Sequence, residues 1–136
     1  MSWTYVGRLG NNSEAPPILD YVVGVGGVTV GLPVVANGTG GVITKTGGTN
    51  TVDVLGIPIG TAVATRRIGV IIGLPDVIFE AERRTGTTVV IGEKYGLEAG
   101  TLLIDGSNIT QTMVQVVGQG TTPTRFRFVV LDFARA

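Results

Sequence analysis

Cysteine and histidine are both absent from the 136 residues of this chain. Without them there is no disulfide, no thiolate nucleophile, no usual zinc or copper ligand set, and no histidine-based triad or proton shuttle. Charge is scarce as well: Asp, Glu, Lys and Arg make up 15% of the chain, against about 25% in an average soluble domain. Ten basic residues balance ten acidic ones, so no net field draws in DNA, RNA or an anionic membrane. The longest largely apolar run, IGVIIGLP, is far short of the ~20 residues a membrane helix needs. MSWTYVGRLGNN at the N-terminus has no basic region followed by an apolar one, so no secretory signal is expected. The expectation is a soluble, non-enzymatic protein with no cofactor, no metal, no nucleic acid and no membrane among its partners.

What the chain has in excess is glycine, 22 residues of 136. Two glycine-rich stretches imitate nucleotide sites. VVGVGGVTVG (22–31) has the apolar lead and close glycines of a dinucleotide fingerprint, but Thr29 stands where the third glycine belongs, and no helix can start in the β-branched segment that follows. TGGVITKT (39–46) ends like a P-loop but lacks that motif's glycines. These glycines are read as turn residues. A surface poor in charge and rich in Thr and Gly is unusual for a protein that stays apart from others, so part of it is expected to be covered by partners.

The dominant period is two, broken by turn residues every eight to twelve positions, which predicts an all-β fold: a single antiparallel β-barrel or β-sandwich. Strands are predicted over 28–35, 42–45, 51–59, 62–72, 77–82, 87–91, 101–104, 112–117 and 124–131, separated by turns such as NGTGG, RRTG, EKYG and DGSN. Residues 77–82 have helix-like features, yet as a strand they put Val77, Phe79 and Ala81 on one face and Glu80 and Glu82 on the other, so the strand is preferred. Gly-Leu/Ile-Pro recurs at 31, 56 and 73, but its unequal spacing reads as punctuation of strands, not as a repeat.

Residues 1–21 lack alternation and carry Pro16-Pro17 and the single Trp. They are expected to form an extended N-terminal arm on a β-domain spanning 22–136. Trp3 and Tyr5 near its tip, with Arg8 and the arginine pairs Arg66-Arg67 and Arg83-Arg84, are the candidate protein-interface residues. The strongest enzyme candidate is the pair Glu80 and Glu82, roughly 7 Å apart along a strand, but the neighbouring Arg83 and Arg84 are expected to neutralise it. Asp105-Gly106-Ser107-Asn108 resembles the start of a calcium loop, but its single acid marks it as a turn. Tyr21 and Tyr95 are the members available for a sugar-binding platform, the alternative being a carbohydrate- or receptor-binding β-module of a virion tail or fibre.

The run GLPVVANGTGGVITKTGGTNTVDVLGIPIGTAVATRRIGVII, followed by DVIFEA and TRFRFVVLDF, resembles the capsid decoration, or cement, proteins of tailed bacteriophages. The likeness lies in a G-x-P-V-V strand (Gly31 to Val35), then G-V-x (Gly41 to Ile43), then V-L-G-[IV] (Val54 to Ile57). The resemblance implies a virion structural protein on the outer capsid surface, assembled in the host cytoplasm. It also implies a homo-oligomer, a trimer by preference, that bridges subunits of the major capsid protein and stabilises the shell.

Overall fold

Short runs of β-branched residues between glycine-rich turns leave no stretch long enough for a stable helix. The computed structural model describes residues 3–10, 15–45 and 54–131, and they contain eleven strands and no helix. β1 (Thr4–Arg8), β7 (Val77–Glu82), β11 (Arg125–Val130), β10 (Val114–Gln119), β8 (Lys94–Leu97) and β9 (Ile104–Asp105) form a six-stranded sheet in that order. β2 (Ile18–Val22), β6 (Arg67–Ile72), β5 (Val54–Pro58), β3 (Val34–Ala36) and β4 (Val42–Thr44) form a five-stranded one. All strand pairs are antiparallel. The sandwich is therefore the form the all-β expectation takes; the described strands do not close a barrel.

The two sheets repeat one design. The order β2-β6-β5-β3-β4 becomes β7-β11-β10-β8-β9. Adding 60 to β2, 61 to β3, 62 to β4 and 58 to β5 and β6 converts one set of pairings into the other. Thus Asp20↔Gly69 becomes Glu80↔Arg127, Ile57↔Ile71 becomes Gln115↔Val129, and Ala36↔Val42 becomes Leu97↔Ile104. The isolated parallel bridge Val23↔Val42 becomes Arg83↔Ile104. Turn bonds follow: Gly27 N–H to Gly24 C=O matches Thr87 N–H to Arg84 C=O, and Gly73 to Leu55 matches Leu131 to Met113. In each half an isolated parallel bridge also links the end of the first strand to the last one in the order.

The first core gathers Val23, Val28, Val34, Val42, Leu55 and Val70. The second gathers Phe79, Phe126, Phe128, Tyr95, Leu97, Ile104 and Met113 among others, and it also takes Val54, Ile57 and Ile71 from the back of the five-stranded sheet. The neighbours Val70 and Ile71 thus serve different cores, which is why IGVII is apolar on both faces. β5 manages the same with a bulge against β3, between the pairs Val34↔Gly56 and Val35↔Val54. Gly56 is required there, because a Cβ would overlap the Ile71 carbonyl oxygen.

Residues 4–8 do not extend as an arm. They form the edge strand β1 on β7, and β2 runs across the boundary expected at residue 21. Trp3 is 1% exposed. Its ring lies 4.8 Å from Phe128 and 5.6 Å from Phe79, and its Nε1–H donates to the Leu102 carbonyl at 2.9 Å. The largest apolar side chain of the segment is stabilised more by its own core than by solvent or a neighbour.

Candidate protein-binding surface

The structure scatters the seven sequence-predicted interface residues. Trp3 is core, and Tyr5 sits half-buried opposite Phe79, packed on the same cluster. Arg8 forks onto the Asp76 carboxylate at 2.7 and 2.8 Å. That hydrogen bonding, against a smaller opposing effect of burial, holds the Asp76 carboxyl below its ordinary value. Arg83 donates to the Thr87 carbonyl at 2.8 Å. Arg84 reaches Glu98 at 2.8 Å and Asp105 at 3.2 Å, so neither arginine neutralises Glu80 as the sequence suggested. Arg66 and Arg67, in contrast, are exposed and form no ion pair among the described residues.

Glu80 is buried, not on a solvent face. Its carboxylate accepts from Arg125 Nε at 2.7 Å, Thr121 Oγ1 at 2.8 Å, Thr121 N–H at 3.1 Å and Arg127 Nε at 3.5 Å. Burial pushes its pKa up, but Arg125, Thr121 and Arg127 outweigh this and hold the carboxyl below its ordinary value. A carboxylate with its lone pairs filled by fixed donors has neither the free position nor the raised pKa of a general acid. Asp105 is likewise kept ionised: burial raises its pKa, and Ser107 and Arg84 more than offset it. Its Oδ1 accepts from Ser107 N–H and Oγ–H, which makes the DGSN segment a turn stabilised from within. Tyr95 is buried with its hydroxyl accepting from Val90 N–H at 2.8 Å, and Tyr21 packs against the first core, so these rings build no sugar platform.

Residues that the sequence did not single out form the more coherent surface. Val22, Val25 and Val63 are exposed, Val25 at 89%. Their equivalents in the second half are Glu82, Thr85 and Thr121. Beside them lies a groove of about 410 Å3 lined by Val22, Val25, Asn37, Gly40, Ala64 and Thr65. Gly24 opens it: a Cβ there would overlap the Asn37 side-chain amide, whose Oδ1 accepts from Thr39 and Gly41 N–H. At the equivalent place in the second half Arg84 is paired with Glu98, and the cavity lined by Glu82 and Thr85 is smaller, about 130 Å3. Thr65 holds φ at +71°, a conformation a β-branched residue rarely adopts, and such strain collects at recognition sites. With Arg66 and Arg67 adjoining, this end of the first half is apolar at its centre and cationic at its rim.

Among the described residues no helix is long and apolar enough to cross a membrane, and no group of acidic side chains is placed to hold a metal ion. No protein-family model matches the chain, and no curated protein matches its sequence.

Proposed function

We propose that this chain is a virion structural protein, a capsid decoration or cement protein that binds the outer surface of an assembled shell and bridges its subunits. It acts by binding and not by catalysis. The observation that supports this most is the exposed valine cluster of the first half. Three apolar side chains, a groove and two exposed arginines occupy the place where the second half has Glu82, Thr85 and Thr121. An apolar centre with a charged rim is the usual anatomy of a protein-binding patch. In a chain of zero net charge it favours a neutral protein surface over nucleic acid. Repetition over a symmetric shell makes modest contacts sufficient.

The test is co-sedimentation with purified particles of the phage that carries the gene. Wild-type protein should pellet at a fixed ratio to the major capsid protein and raise the temperature at which the shell releases its DNA. The double variant Val25→Lys/Val63→Lys should stay folded and lose at least tenfold in binding. Absence of the wild-type protein from particles removes the reading; undiminished binding of the variant removes the surface.

A further inference from the structure

The duplication makes a missing element visible. In the second half β1 covers the free edge of β7, pairing Thr4 with Glu80 and Tyr5 with Phe79. β2 is the equivalent of β7, and among the described residues no strand pairs with its side away from β6. The side chains register the difference. Ile18 is 45% exposed where its equivalent Ile78 is 7%, and Leu19 is 52% exposed where Phe79 is fully buried. Nor is the edge blunted by a bulge: β2 runs in unbroken register against β6 from Ile18 to Val22, whereas β1 is bulged between Tyr5 and Gly7. Such an edge is a template for another strand.

We propose that this edge takes a second copy of the same chain, β2 against β2, antiparallel about a two-fold axis through Leu19. The register follows from which groups are free. Ile72 N–H donates to Pro17 C=O and Val23 N–H to Arg66 C=O, so odd-numbered residues face β6, and the N–H and C=O of Ile18 and Asp20 point outward. From Val23 onward that side is taken by β4, with Gly24 N–H on Val42 C=O at 2.8 Å. Pro16 has no N–H to give at the other end. A pairing of Ile18 with Asp20 of the other copy, made twice, uses the outward N–H and C=O of both residues. It forms four backbone hydrogen bonds. Leu19 then meets Leu19 directly in a non-hydrogen-bonded pair, each leucine supplying the cover that Tyr5 gives Phe79. A centre at Asp20 would instead set two carboxylates opposite each other, which is destabilising. The zero net charge of the chain puts no long-range repulsion in the way. This contact closes at two copies, not at the three that the family resemblance implies, and it does not depend on shell binding.

The isolated protein tests it. Sedimentation equilibrium should show a reversible monomer–dimer system, weakened at least tenfold by Leu19→Lys. Because the chain has no cysteine, Leu19→Cys supplies a single thiol. Opposed residues of a non-hydrogen-bonded pair lie about 4.5 Å apart at Cα, within disulfide reach. Mild oxidation should therefore convert most of Leu19→Cys to a covalent dimer and little of Val63→Cys, a more exposed position off the edge. A monomer or a trimer, a dimer that Leu19→Lys leaves intact, or equal cross-linking of the two cysteine variants would each overturn the proposal.

Discussion

Residues 18–73 and 77–131 share strand order, register and closing bridge, and they differ in how their outer edges end. The second half is internally completed. Its edge carries β1, its core is sealed by Trp3, and the acid at position 80 lies in a cage of two arginines and a threonine. The first half has Asp20, Gly69 and Val63 where the second has Glu80, Arg127 and Thr121, and among the described residues it has no strand equivalent to β1. One copy of the design was finished with its own residues; the other was left with valines, a groove and an open edge. The repeated design permits this division, since one half is closed by residues of its own while the other keeps less charge and more exposed valine.

The largest expected contrast is at the seal. Trp3→Ala should destabilise the protein by about 3–5 kcal/mol, the range for emptying a large buried aromatic site, measured by urea denaturation. Removal of residues 1–20 should for the same reason unfold the second half, and not leave an intact domain without an arm. Next comes the caged acid. Glu80→Gln leaves Arg125 buried beside a neutral partner and should cost about 3 kcal/mol, as when one member of a buried pair is removed. Asp20→Asn, its counterpart, should fall within about 0.5 kcal/mol of wild type. The caged acid also has a pH signature. The folded Glu80 carboxyl titrates below the ordinary glutamate value of 4.5. Its contribution is therefore fully present above that value and is lost as pH falls through it toward the folded pKa. Glu80→Gln should flatten this acid limb of the stability profile; a profile unchanged from wild type would show that the cage does not hold the carboxyl ionised. The smallest expected contrast is at Gly56. Alanine there meets the Ile71 carbonyl and should cost about 1–3 kcal/mol, whereas Val114→Ala at the equivalent place should cost a similar amount through an opposite mechanism, a cavity. The two are told apart by crystal structures, in which only Gly56→Ala shifts the backbone of β6.

Strands with an unambiguous period were legible from sequence. Residues 77–82 form a strand over the predicted range, and those predicted at 124–131, 112–117 and 51–59 fall within a few residues of β11, β10 and β5. The misses have local causes. β1 contains Gly7 and a bulge, so its alternation is broken. β8 is KYGL, and its glycine and flanking charges read as a turn. Residues 87–91 are β-branched and read as a strand, yet they form a loop whose Val90 N–H is used by the Tyr95 hydroxyl. The duplication left almost no trace in the letters: among the aligned strand residues only Ile18/Ile78 and Arg67/Arg125 are identical. What persisted is backbone geometry, seen in the positive φ shared by Gly26 and Gly86 and by Gly31 and Gly92. The exposed valine cluster was illegible for a related reason. A valine in a β-rich chain reads as core until its equivalent, a glutamate or threonine, shows that the position faces outward.

Trp3 has a further consequence for how the protein is made. Thr4 and Glu80 are 76 residues apart, and Trp3 and Leu102 are 99. At roughly 5–20 residues per second of synthesis, β1 leaves the ribosome about 4–15 s before β7 exists to receive it. The first half can curl round its valine core in that interval, because all its strands lie between β2 and β6. The tryptophan meanwhile has no pocket, and it is an exposed apolar side chain that a chaperone can hold until the last strand closes the second core.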